Sequence, residues 1–455
     1  MIPELDIDGL LQRLDGFASR KFLSTTDGSL RYDDLSARVQ QFRDQFSADL
    51  RQDGSIGLVT DYSLSGIAAL LALWAEKYCV ALMPQGSDND HGYLSAGLVN
   101  EVVTVPADGE CEIRATEGYG THRMLERLRE QSHPGMILFT SGSSGKPKAV
   151  LHDINRFLLK FAKPGKQLTT YAFLVFDHVA GQDTLLYTLG AGGELVVGQS
   201  RKPEAVAALI EKHSVQVLPA SPTFLNLLLL SGAADSYDLS SVEIITYGSE
   251  PIDEGTLKRL AEVFPNSRII QKYGTSEFGA IRSISRGNDS TYIRIKKDET
   301  DYRVVDGILW VKSRGAMLGY LNATAEQDEE GWLCTGDLVE QDGDWLRILG
   351  RESDIINVGG EKVVPAEVEA IINGLDFVHD CTVRGERQPI VGMAVVCDVA
   401  VDNAVLESSP AERRKLARAV RQRCREELPV YKVPVRVDFV ARTVVTSRQK
   451  KIRRA

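Results

Sequence analysis

Cysteine is scarce and scattered. Cys79, Cys111, Cys334, Cys381, Cys397 and Cys424 include no Cys-x-x-Cys pair and no Cys/His grouping at zinc-site spacing, so they read as reduced, mostly buried thiols. Long apolar runs are also missing. The most apolar stretch, 66–75, is too short to span a bilayer. The first residues, MIPELDIDGLLQRLDGF, carry acids where a signal peptide carries bases, and the expectation is a cytoplasmic protein with no membrane span. Excess positive charge is absent too: 53 Lys and Arg stand against 63 Asp and Glu, a net charge of −10, which argues against a nucleic-acid partner. There is no internal repeat and no low-complexity tract.

What remains is an ordinary globular composition, 43% hydrophobic and 25% charged over 455 residues. At roughly 150 residues per domain this is about three domains, or one large domain with a smaller companion. Short apolar segments at 56–59, 102–105, 136–139, 172–176, 194–197, 215–218 and 242–246 read as strands. Helical patterns at 65–76, 203–212 and 254–263 alternate with them, with apolar residues at i, i+3 and i+4. This alternation predicts an α/β fold, a mainly parallel sheet covered by helices. After about residue 350 the rhythm changes to a Gly359-Gly360 turn, a helix at 366–372, strands at 378–383 and 392–399, and a charged helix at 411–427. The expected organisation is a large domain of helix-covered β-sheets over 1–352 and a smaller α+β domain over 353–455.

The most informative segment is Met136-Ile-Leu-Phe-Thr-Ser-Gly-Ser-Ser-Gly-Lys-Pro-Lys148. An apolar strand enters a loop of small residues. Backbone N–H groups there, with the hydroxyls of Thr140, Ser141, Ser143 and Ser144, converge on an anion, and Lys146 and Lys148 add charge. Only two residues separate Gly142 from Gly145, and Pro147 follows Lys146, so this phosphate cradle is not a Walker loop.

The segment resembles the Ser-Gly-Thr-Thr-Gly-x-Pro-Lys-Gly signature of the adenylate-forming superfamily: acyl- and aryl-CoA ligases, nonribosomal peptide synthetase adenylation domains and luciferases. Ala149 replaces the last glycine. Further matches follow in family order and cover almost the whole chain. The resemblance assigns ATP binding to Thr140, Ser141, Gly142, Ser143, Ser144, Gly145 and Lys148. It places Gly248, Ser249 and Glu250 of Ile244-Ile-Thr-Tyr-Gly-Ser-Glu-Pro251 beside the adenine. From Gln271-Lys-Tyr-Gly-Thr-Ser-Glu277 it takes Tyr273 with Gly274 for the purine, Thr275 for phosphate and Glu277 for Mg²⁺. It gives Asp337 of Gly331-Trp-Leu-Cys-Thr-Gly-Asp-Leu338 to the ribose hydroxyls, Arg351 to ribose and phosphate, and Asp354 to the domain hinge.

Three other matches concern the acid and its acceptor. His178, in Val175-Phe-Asp-His-Val-Ala-Gly181, corresponds to a histidine near the acyl carboxylate, and Pro219 to Leu229 corresponds to the wall of the acid pocket. Gly359-Gly360-Glu361 corresponds to the segment that lines the thiol tunnel of CoA ligases. The ending Thr446-Ser-Arg-Gln-Lys-Lys-Ile-Arg-Arg-Ala455 resembles the one that carries the adenylation lysine, assigned to Lys451, with Lys450 as the alternative register. The implied reaction joins a fatty or aromatic carboxylic acid to ATP as an acyl-adenylate, releases pyrophosphate, and passes the acyl group to CoA or to the phosphopantetheine of an acyl or peptidyl carrier protein. The alternatives are an amine acceptor, giving an amide or, with nitrite, a diazotisation, and an inactive nucleotide-binding homologue.

Overall fold

The computed structural model describes residues 5–51, 53–107, 110–141, 146–248, 250–298, 300–388 and 392–443. Among the described residues, three large sheets and a two-stranded one make up the large domain. The first has seven strands, in the order Arg268–Gln271, Ile244–Tyr247, Val217–Ala220, Thr169–Tyr171, Glu194–Val196, Lys21–Ser24 and Ser29–Arg31; all neighbours are parallel except the last pair. The second also has seven, with a parallel centre of Gly135–Ser141, Cys79–Met83, Ser55–Val59 and Val99–Thr104. Antiparallel pairings at its two ends add Pro147–Asp153 with Gly319–Tyr320, and Glu112–Ala115. The third is a six-stranded antiparallel sheet built from residues 283–351. The expected helix-covered β-sheets are present; the alternation of strand and helix patterns announces the strands but not which of them pair.

Between the layers lies the helix Leu64–Ala75, LSGIAALLALWA, in which ten of twelve residues are buried. A helix apolar on every face has no solvent side, so it belongs inside the core. Ser63 caps it by accepting from the Gly66 N–H, and Trp74 Nε1 donates to the Gly135 carbonyl at 3.1 Å. That bond ties the helix to the strand that leads into the 142–145 loop. Among the described residues no helix is long and apolar enough to cross a membrane.

The expected strand at 172–176 ends earlier. Pairing covers Thr169–Tyr171, because Phe176 and His178 already serve the next helix: the Phe176 carbonyl accepts from Gln182 Nε2, and His178 is the N-cap. The expected helix at 254–263 is found at those residues.

Residues beyond 355 have their own core, including Ile356, Val368, Ile372, Val383, Val399 and Val420. It is held between a three-stranded sheet and the helices Pro365–Asn373 and Pro410–Glu427. The Gly359-Gly360 turn joins strands Ile356–Val358 and Glu361–Val363 with φ of 60° and 96°, a backbone region that glycine adopts readily. Of the cysteines, Cys381, Cys397 and Cys424 are buried and Cys79, Cys111 and Cys334 half-buried, all free thiols.

Candidate active site

Strands Gly135–Ser141 and Pro147–Asp153 pair antiparallel, with Thr140 opposite Lys148 and Ser141 opposite Pro147. The hairpin therefore brings one hydroxyl and one ammonium to the two ends of the 142–145 loop. Gly142, Ser143, Ser144 and Gly145 lie outside the described residues, as do the Ser141 side chain, Ser249, Lys450 and Lys451. Asn322 secures the exit strand: its Oδ1 accepts from the Ala149 N–H at 2.9 Å, and its Nδ2 donates to the Pro147 carbonyl at 2.8 Å.

Next to this hairpin, Gly274–Thr275 and Gly279–Ala280 form a tight two-stranded turn. A Cβ on Gly274 would lie 2.4 Å from the Gly279 carbonyl oxygen, so the close approach admits only glycine. Thr275 Oγ1 accepts from the Glu277 N–H at 3.2 Å, and the Glu277 carbonyl accepts from the Met317 N–H at 2.6 Å. Beneath the turn the fully buried His152 has Nε2 2.6 Å from the Ser276 carbonyl. Nε2 is therefore the protonated nitrogen, and burial lowers the pKa of His152 to about 4. The Glu277 carboxylate accepts from the Tyr320 hydroxyl at 2.5 Å. Lys148 Nζ stands 5.6 Å from the centre of the same Tyr320 ring.

A second grouping comes from three segments. The Tyr273 hydroxyl donates to Asp337 Oδ2 at 2.6 Å, and Arg351 Nε lies 2.8 Å from Asp337 Oδ1. Asp337 and Arg351 face each other across strands Leu333–Asp342 and Trp345–Arg351, and Arg351 Nη1 also donates to the Thr335 carbonyl at 2.9 Å. Burial pushes the Asp337 carboxyl above its ordinary value, outweighing Arg351 and Tyr273, while the charges of Glu277 and Asp354 add to the rise. Burial also drives the Tyr273 phenol well up, helped by Asp337, so it remains a donor. Through these mutual effects Glu277, Asp337, Arg351 and Asp354 form one electrostatic neighbourhood.

The other candidates sit at element ends. Gly248 follows strand Ile244–Tyr247, where a Cβ would lie 2.5 Å from the Lys272 carbonyl. Glu250 accepts from Thr223 Oγ1 at 2.9 Å and, with Thr223, lines a cavity of about 590 Å³ between the large domain and helix Pro365–Asn373. His178 caps helix Val179–Gly190, its Nδ1 accepting from the Ala180 N–H at 3.3 Å. Asp354 closes the turn Glu352–Asp354 directly after Arg351.

Sequence reasoning passed over Tyr320, Asn322 and His152. Gly319-Tyr-Leu-Asn322 was the available signal, a short aromatic and polar run after a glycine. Among the described residues no group of three or more His, Cys, Asp or Glu side chains is placed to hold a metal ion. A single carboxylate at Glu277 suits Mg²⁺, which keeps several waters and binds through one or two carboxylates plus substrate phosphates.

Comparison with known proteins bears on this geometry. The family model for the AMP-binding enzyme matches residues 85–321, and that for the AMP-binding enzyme C-terminal domain matches 367–451. Acyl-CoA synthetase 7 of Caenorhabditis elegans is 28% identical over 354 residues, covering 70% of this chain and 64% of that protein. The medium/long-chain-fatty-acid–[acyl-carrier-protein] ligase FadD10 of Mycobacterium tuberculosis is 28% identical over 401 residues, 77% of this chain and 72% of its own. The alignments span less than two-thirds of the length of the first curated relatives, from 64% down to 50%. In fold, the chain superposes on the amide bond synthetase McbA from Marinactinospora thermotolerans with a TM-score of 0.80 at 21% identity, covering 98% of each chain.

Proposed function

As the chain belongs to the adenylate-forming superfamily of AMP-binding enzymes, we propose that it activates a fatty or aromatic carboxylic acid with ATP and transfers the acyl group to a thiol, that of CoA or of a carrier protein's phosphopantetheine. The observation that carries the reading is the convergence of Tyr273, Asp337 and Arg351, from three segments, beside Glu277 and Lys148 at the mouth of the 135–153 hairpin. A carboxylate accepts two hydrogen bonds in one plane, which suits the ribose diol at Asp337. Tyr273 and Arg351 hold that carboxylate in place before nucleotide arrives. Thr140, Lys148 and the 142–145 loop take the phosphates, and Gly248, Ser249 and Glu250 border the base. Mg²⁺ at Glu277 supplies charge neutralisation for the polyphosphate.

The protein's part in the first step is placement and charge stabilisation. The acid carboxylate, oriented near His178, attacks the α-phosphorus; the bond to the bridging oxygen breaks and pyrophosphate leaves. Lys451 neutralises the attacking and leaving oxygens. In the second step the thiolate attacks the acyl carbon and AMP departs. Rotation of the 353–455 domain about Asp354 exchanges Lys451 for the Gly359-Gly360 turn. Pyrophosphate release with Mg·ATP across fatty acids, aryl acids, amino acids and nitrite tests this, each acid with and without CoA. Release for one acid class, with thioester only when a thiol is present, is expected; silence for every acid would overturn it.

A second reading is an amine acceptor, with which the likeness in fold to the amide bond synthetase McbA is compatible. AMP release that depends on an amine and ignores CoA would select it.

A further inference from the structure

We propose that Tyr320 is a positioning residue that uses its hydroxyl to set the Glu277 carboxylate and its ring to seat the Lys148 ammonium, holding the two opposite charges apart. The inference rests on the reading of Glu277 as the metal-binding carboxylate.

The backbone of Tyr320 is fixed relative to both groups. Strand Gly319–Tyr320 pairs with Pro147–Asp153 in the register Gly319 to Leu151 and Tyr320 to Val150. The Leu318 N–H donates to the Leu151 carbonyl at 2.7 Å and the Leu321 N–H to the Ala149 carbonyl at 2.9 Å. Together with the two bonds from Asn322, these lock the segment onto the strand that bears Lys148. Just upstream, Met317 binds the Glu277 carbonyl. One short segment therefore spans the lysine and the carboxylate.

From that anchor the side chain reaches both charges. Its hydroxyl donates to Glu277 Oε1 at 2.5 Å, and its ring stands 5.6 Å from Lys148 Nζ. A phenol that engages one carboxylate oxygen fixes the plane of the group and the direction in which the second oxygen presents its lone pairs. The electron-rich ring face gives the ammonium a resting place other than the carboxylate. Were Lys148 and Glu277 to close on each other, each would neutralise the charge that the other needs for phosphate or metal. Tyr320 keeps a cation and an anion available side by side.

The test is equilibrium ATP binding by calorimetry, in EDTA and over a Mg²⁺ titration, for wild type, Tyr320→Phe, Tyr320→Leu and Glu277→Gln, with melting curves to show that each is folded. Tyr320→Phe, which loses only the hydroxyl, is expected to bind metal-free ATP as wild type does. Its Mg²⁺ requirement should rise roughly 10- to 100-fold, the usual effect of losing a partner behind a metal ligand. Tyr320→Leu, which also loses the ring, is expected to weaken metal-free ATP binding by a further 2- to 5-fold or so. Wild-type Mg²⁺ dependence in Tyr320→Phe, alongside its loss in Glu277→Gln, would overturn the role of Tyr320 alone. Wild-type Mg²⁺ dependence in Glu277→Gln would overturn the reading of Glu277, and the proposal with it.

Discussion

Arg351→Met removes the cation beside a carboxyl group that burial already pushes above its ordinary value. In the native site Arg351 Nε lies 2.8 Å from Asp337 Oδ1, with the Asp337 side chain 9% exposed and that of Arg351 50% exposed. Breaking a fully buried pair costs roughly 3–5 kcal/mol, while an exposed pair contributes about 0–1 kcal/mol. Solvent reaching the guanidinium puts the expected loss between these limits, at about 1–2 kcal/mol. A loss of that size is roughly 5- to 30-fold in the folding equilibrium constant, and KM for ATP should rise as well, because the carboxylate assigned to the ribose loses a partner that holds it.

The pH dependence has two opposite signatures. Without Arg351 the Asp337 carboxyl rises further, so the acid limb of kcat/KM for ATP moves to higher pH. The catalytic deficit is then larger near pH 6 than near pH 8. Stability behaves the other way. A carboxyl whose folded value is raised contributes stability below its unfolded value and loses it as pH climbs through the folded one. The melting-temperature deficit of the variant should therefore be larger near pH 8 than near pH 5. Pyrophosphate-release kinetics and melting curves across this range measure both, and a deficit equal at all pH values, or an acid limb that moves down, would refute the reasoning.

Other perturbations probe other parts of the molecule. His152 stays neutral in the fold, with a pKa of about 4 against an ordinary value of 6.5. The unfolded chain binds the extra proton between these values, so stability is full above about pH 6.5 and falls by on the order of 3 kcal/mol as pH drops to about 4; urea midpoints should show His152→Gln flattening this slope. Gly274→Ala forces a Cβ to 2.4 Å from the Gly279 carbonyl, and should cost about 1–3 kcal/mol of stability together with most pyrophosphate release, read by calorimetry and a coupled assay. Asp354→Pro should impair one half-reaction far more than the other, as measured by comparing pyrophosphate release with thioester formation; equal losses would count against the hinge.

The small-residue loop, the Tyr-Gly-Thr-Ser-Glu run, the Thr-Gly-Asp segment and the Gly-Arg-Glu-Ser-Asp junction are each a few consecutive residues, so resemblance to the adenylate-forming superfamily could name Tyr273, Glu277, Asp337 and Arg351 one segment at a time, and the structure brings these four together. Helix Glu254–Val263 was equally legible, since Asp253 caps it and Leu257 and Leu260 mark its buried face. Residues that act across long separations stayed hidden. Tyr320 meets Glu277 over 43 positions, His152 meets Ser276 over 124, and Asn322 meets Ala149 over 173. Such contacts depend on which strand lies beside which, and the alternation of apolar residues does not encode that. The pairing of strands within the three large sheets was out of reach for the same reason.

The central claim, reversible transfer of AMP to a carboxylate, is met most directly by exchange of labelled pyrophosphate into ATP, measured with Mg²⁺ and each member of the acid panel. The account predicts exchange that requires one class of acid, produces AMP and no ADP on prolonged incubation, and collapses in Asp337→Ala. Exchange that ignores the acid, or acid-dependent turnover that yields ADP, would contradict it.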